Sequence, residues 1–235
     1  MALLEVCVDD ALGLIEALAG GADRVELCSA LGLGGLTPSP GLMRMAVDCG
    51  VPCYPIIRPR SGDFCFGPDE LAAICDDIRA ARDCGLPGVV LGASRPDFSL
   101  DLLALEEMTA AAAGMDLSLH RCIDLCPDVA EAVEDAIGLG FSRILTSGGA
   151  RTAAEGLERL SQMIEVAAGR ISIMPGSGVS VQTWPLLAGL GVTEVHASCA
   201  SPLAQDPRLA YFGYQTGHEK RTDRAKVAAL KALIA

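Results

Sequence analysis

Three carboxylates (Glu5, Glu26, Glu194), two imidazoles (His120, His196) and three guanidinium groups (Arg58, Arg60, Arg121) fall inside or at the ends of short apolar runs. Gathered in one place, carboxylates and imidazoles shift one another's proton affinity and serve as general acids and bases. Arginines beside them hold anionic groups through paired N–H donors. Two thiols, Cys7 and Cys28, occupy matching places near the ends of two successive runs. Thiolates that converge from neighbouring strands suit a soft ion such as Cu(I) or Zn(II).

Glycine-rich segments follow several of these runs: SALGLGGLTPSP, RPRSGDF, TSGGA and PGSGV. Gly176 and Gly178 of PGSGV let the backbone approach a ligand and turn N–H groups toward an anion, and Thr146 and Ser147 add hydroxyl donors. The expectation is a phosphate-type anion site at the loop after the seventh run.

Alternating strands and helices must position these groups. Short apolar runs (3–8, 23–28, 53–58, 88–92, 117–121, 143–147, 171–176, 194–198) alternate with amphipathic, alanine-rich segments, ending on a helix over 223–235. Eight strand–helix units of about 29 residues predict one α/β domain over 1–235, a (β/α)8 TIM barrel. Residues two apart on a strand share a face. Glu5 therefore sits with Cys7, Glu26 with Cys28, Ser118 with His120, and Glu194 with His196 and Ser198. The outer row packs on helices, so the polar rows point inward. Buried carboxylates need partners, and Arg58, Arg60, Arg121, His120 and His196 are the expected ones, all on one rim. The stretch 199–222 is long for a barrel loop and is expected to cover the mouth or dock a partner subunit.

The chain has 235 residues, 51% hydrophobic, with 18 Lys and Arg against 30 Asp and Glu, a net charge of −12. That balance excludes the basic face that nucleic acids and anionic membranes require, while local arginines still allow a small anionic ligand. The start MALLEVCVDD lacks the form of a signal peptide, and no apolar run is long enough to span a bilayer. The expectation is a cytoplasmic protein whose 10 cysteines are free thiols.

The segments LEVCVDD (4–10), GGADRVELCSALGLGGLTPSPG (20–41), IIRPRSGDF (56–64), LHRCID (119–124), GFSRILTSGGA (140–150), GRISIMPGSGV (169–179) and EVHAS (194–198) occur in order and together resemble the CutC family, named for copper homeostasis. The resemblance implies a TIM barrel, a cytosolic dimer or higher homo-oligomer, and Cu(I) bound by the cysteines of the EVC and ELC motifs, here Cys7 and Cys28. The chain departs from the family pattern at Leu119, Cys122, Ile123 and Ser177, and Cys122 and Cys199 offer extra sulfurs. An alternative reading is a barrel enzyme acting on a small anionic, phosphorylated substrate. Glu5, Glu26, His120, Glu194 and His196 would then be acids and bases, with no reaction assignable from the residues alone.

Overall fold

The computed structural model describes residues 2–235. Eight parallel strands form the barrel wall: β1 (Leu3–Val8), β2 (Arg24–Leu27), β3 (Cys53–Pro55), β4 (Gly88–Leu91), β5 (Asp116–Leu119), β6 (Arg143–Thr146), β7 (Ser172–Pro175) and β8 (Glu194–Ala197). They run as two four-stranded sheets, β3-β2-β1-β8 and β4-β5-β6-β7. The sheets meet where Ile56 bridges Val90, with Ile57 N–H donating to Val90 O at 2.9 Å, and where β7 lies beside β8. The fold is the expected (β/α)8 barrel. Regular β3 pairing stops at Pro55, which has no N–H to donate.

Helices α1 (Ala11–Gly20), α2 (Pro40–Val47), α3 (Pro68–Asp83), α4 (Leu102–Ala111), α5 (Val129–Gly138), α6 (Leu157–Ala167) and α7 (Trp184–Ala188) link the strands. Their starts are written in the sequence. Asp10, Ser39, Asp101 and Asp128 each accept a backbone N–H from the first turn of α1, α2, α4 and α5. Gly21, at φ +91°, ends α1 by donating to Ala17 O and Leu18 O. The outer strand row (Leu4, Val6, Val8, Val25, Leu27, Val89, Leu91, Ile144, Val195) is buried in the main core with Leu14, Ile74, Ile78, Leu105, Met108 and Leu160 from the helices. Each such side chain contributes about 1.5–3 kcal/mol by leaving water.

Residues 199–222 do not form a loose loop. β9 (Ala200–Pro202) and β10 (Lys220–Thr222) pair antiparallel, with α8 (Pro207–Tyr211) between them, before α9 (Arg224–Ile234) closes the chain against α1. No helix of the described residues is long and apolar enough to cross a membrane.

Candidate functional site at the barrel mouth

Register settles which groups face inward. Glu5 lies opposite Arg24 and His196, Cys7 opposite Glu26, Glu26 opposite Tyr54, and Ser118 opposite Arg143. Paired residues in a parallel ladder share a face, so all of them point into the barrel.

The lower layer sits where the strands begin. Arg24 binds both Glu5 and Glu194, its Nη2 also reaches Met174 Sδ at 3.2 Å, and its guanidinium lies 5.6 Å from the Tyr54 ring centroid. Arg143 donates to Asp116 at 2.7 Å and to Ser118 Oγ at 2.9 Å, and pairs with Glu194 at 3.3 Å. Tyr54 Oη donates to Asp116 at 2.7 Å. The expected counter-charges were Arg58, Arg60, Arg121 and the histidines. Of these only His196 pairs with an inward glutamate, and Arg24 and Arg143 supply the rest. Glu194 opens β8 and therefore stands at the opposite end of the barrel from the mouth.

The upper layer stands at the C-terminal strand ends, where barrel sites form. His196 Nδ1 bonds Glu5 Oε1 at 2.8 Å, and its Nε2 lies 3.7 Å from Glu26 Oε2. Cys7, Glu26 and His196 each place one donor atom within 4.8 Å of the others. Cys28 is outside that group but packs with Cys7, Tyr54, Ile56 and Val90 in a small apolar cluster inside the barrel. Leu31 covers this cluster, its N–H held by Asp9 at 3.0 Å. A Cβ on Gly35, at φ +86°, would stand 3.2 Å from Cys28 Sγ, so glycine lets the loop close down on the thiol.

Burial and neighbours set the proton affinities. Burial pushes Glu5 up, but Arg24 and His196 outweigh it and hold the carboxyl at about 2. Burial pushes Glu26 up to about 7 against the pull of His196. Burial alone would lower His196, yet Cys7, Glu5 and Glu26 reverse the sign and hold it well above the usual histidine range. Burial, Glu26 and Cys7 push the Cys28 thiol well up. Burial and the charge of Cys7 push Cys199 up to about 12.

The other expected site residues stay outside this donor group, and most of their polar atoms are engaged within the protein, although Arg58 Nε and His120 Nε2 are buried without a partner. Arg58 donates to Leu33 O, Gly35 O and Gly62 O at 3.0, 3.2 and 2.7 Å. Arg60 pairs with Glu70 and Asp63 on a half-exposed loop. His120 is buried on Phe64, ring centroids 4.8 Å apart. Gly176 donates to Thr146 O at 2.8 Å, and a Cβ there would stand 2.4 Å from Leu145 and 3.5 Å from His196. Gly178 takes φ +74°.

Asp124 was not singled out in the sequence, although it closes the LHRCID segment. It accepts from Thr146 Oγ1 (2.6 Å), Ser147 N (3.0 Å) and Oγ (2.9 Å), Gly149 N (3.0 Å) and Arg121 Nε (2.7 Å). Thr146, Ser147 and Arg121 thus serve a carboxylate of the protein itself, which ties the loops after β5 and β6 together. Asp124→Ala is expected to cost about 2–3 kcal/mol, because several largely buried donors lose their acceptor together. Chemical denaturation measures it, and a loss under 1 kcal/mol would contradict this role.

The CutC family model matches residues 2–201. A family protein CutC of Rhizobium meliloti (strain 1021) is 56% identical over 233 residues, covering 98% of this chain and 95% of that one. A family protein CutC of Agrobacterium fabrum is 52% identical over 235 residues, covering 99% and 94%. A crystal structure described as a copper homeostasis protein CutC from Streptococcus agalactiae superposes with a TM-score of 0.80 at 30% identity, covering 84% of this chain and 99% of that one.

Proposed function

Since this chain belongs to the CutC family, and a solved CutC protein from Streptococcus agalactiae is described as a copper homeostasis protein, we propose that it binds copper as Cu(I) at the barrel mouth. Cys7 and Cys28 are the sulfur donors, and His196 stands within reach of the same ion. The observation that carries this reading is the convergence of Cys7, His196 and Glu26 within 4.8 Å, with Cys28 packed beside Cys7.

The donor chemistry fits. Thiol and imidazole are soft or borderline ligands that copper accepts, while a carboxylate is a poor one for Cu(I). Glu26 has a different part. Thiols bind metal only after losing their protons, and Cys28 holds its proton tightly. Glu26, pushed up to about 7, is a ready acceptor at neutral pH. Two thiolates around Cu(I) carry a net charge of −1, which His196 offsets while it is protonated; it ligates the ion only after giving up a ring proton.

A second reading, proton transfer on a small anionic substrate, is favoured by one observation: Glu26 and His196 form an acid–base pair whose affinities are both raised. Its expected anion donors Arg58, Arg60, Arg121, Thr146 and Ser147 all have partners within the protein.

Anaerobic Cu(I) titration against a competing chelator tests the assignment. The Cys7→Ser, Cys28→Ser double variant is expected to lose about a hundredfold in affinity, equivalent to about 3 kcal/mol. Unchanged affinity in that variant, with inorganic phosphate raising the melting temperature of the wild type, would overturn the copper site in favour of the second reading.

A further inference from the structure

Far from the mouth, two thiols touch. Cys49 Sγ and Cys53 Sγ are 3.2 Å apart. Both also lie near Val51 O, at 3.4 and 3.6 Å. Cys49 follows α2 and is half-buried, and Cys53 opens β3 and is buried beneath it. Gly50, at φ +92°, makes the reversal between them possible. The two ends are anchored independently: Cys49 N–H donates to Ala46 O at 3.4 Å, while Pro52 O accepts from Val25 N in the neighbouring strand at 3.0 Å.

This separation is too short for a shared metal ion. A tetrahedral ion about 2.3 Å from each sulfur would spread them to roughly 3.8 Å. Among the described residues no carboxylate or imidazole completes a three-donor group there. The separation suits direct sulfur–sulfur bonding, which needs a small further approach from rotation about the side-chain bonds.

We propose that Cys49 and Cys53 are a site of reversible oxidative modification, a dithiol that hydrogen peroxide or a related small peroxide converts to a disulfide. The more accessible Cys49 attacks as its thiolate. Its S–O bond forms as the peroxide O–O bond breaks, giving a sulfenic acid and hydroxide, which takes up the released thiol proton to become water. The Cys53 sulfur then attacks the Cys49 sulfur, and the hydroxyl leaves with the Cys53 proton as a second water. Two thiols and one peroxide give one disulfide and two waters. A dithiol reductant returns the pair by exchange. The pair lies at the strand-start end of the barrel, so this modification does not depend on the copper reading, and either can fail without the other.

Trypsin isolates both cysteines in one peptide, 45–60, because Arg58 precedes a proline and is not cleaved; that peptide holds no other cysteine. The full-length protein is reduced, freed of reductant, treated with a small excess of hydrogen peroxide, denatured in iodoacetamide and digested. Peptide 45–60 is expected to take up no alkyl groups and to weigh two hydrogens less than the dithiol form. Dithiothreitol before alkylation restores two alkyl groups. In Cys53→Ser, Cys49 is expected to be trapped as a dimedone adduct that the wild type does not accumulate. Two alkyl groups on the wild-type peptide after peroxide, or equal dimedone trapping in the wild type and the variant, would overturn the proposal.

Discussion

Arg24→Met is expected to destabilise the protein by about 3–5 kcal/mol, the largest effect of any substitution considered for this barrel. Arg24 is almost fully buried and is the only cation bridging Glu5 to Glu194 among the described ion pairs. Removing it leaves Glu5 with His196 and Glu194 with Arg143 at 3.3 Å, two carboxylates under-neutralised in a low-dielectric interior. Breaking a buried pair from one side carries that penalty, because the remaining charge stays buried. Arg24→Lys is expected to fall between, since one ammonium cannot reproduce the forked contact with both acids. Adding Glu194→Gln to Arg24→Met should recover part of the loss, a non-additivity that independent sites would not show. Urea denaturation of the wild type, Arg24→Met, Arg24→Lys, Glu194→Gln and the double variant decides it. A loss below 1 kcal/mol in Arg24→Met would mean that Arg24 does not hold the lower layer of charges together.

The second large effect is a pH dependence. His120 is buried, and burial together with nearby Arg58 pushes it down to about 3 from an ordinary 6.5. Its Nδ1 accepts from Cys122 N–H at 3.2 Å, which leaves the ring proton on Nε2 and the imidazole neutral. The folded-state value lies below the unfolded one, so below about pH 6.5 the unfolded chain takes up a proton that the folded chain refuses. Stability from this group is complete above about pH 6.5 and is lost as pH falls toward 3. At 1.36 kcal/mol per pH unit, the loss from about pH 7 to about pH 4 is about 3 kcal/mol. His120→Asn offers a carbonyl to Cys122 N–H and does not titrate. It leaves a gap and is expected to be less stable at neutral pH, but its deficit should shrink by that amount on acidification. A deficit constant across the range would contradict a neutral, buried His120. This behaviour fits a packing role for His120 on Phe64 better than proton transfer at neutral pH.

The sequence carried the architecture because hydrophobic period and caps are local. The runs 3–8, 88–92 and 143–147 match their strands within a residue, and Asp10, Ser39 and Asp128 announce the helices they cap. Alternation also identified Glu5, Glu26 and His196 as inward-facing. The partners of those charges were less legible. Arg24 and Arg143 open their strands, and a charged first residue looks like a solvated edge until the opposite wall of the barrel is known. Parity alone held the signal, since Arg24 is two residues before Glu26 and Asp116 two before Ser118. Parity does not say at which end of the barrel a residue lies, so alternation groups Glu194 with the mouth although it opens β8. Arg58, Arg60 and Arg121 were expected to face a ligand, but loop carbonyls and nearby carboxylates claim them. Those acceptors approach only once the loops fold. The fold of 199–222 was illegible for the same reason: β9 and β10 have three residues each and are defined by pairing, not by pattern.

Copper K-edge X-ray absorption on anaerobically Cu(I)-loaded protein tests the central claim most directly. The account predicts a first shell containing two sulfur scatterers, contributed by Cys7 and Cys28, which disappears when both are serine. A shell of nitrogen and oxygen alone, or the same sulfur shell from the double variant, would contradict it.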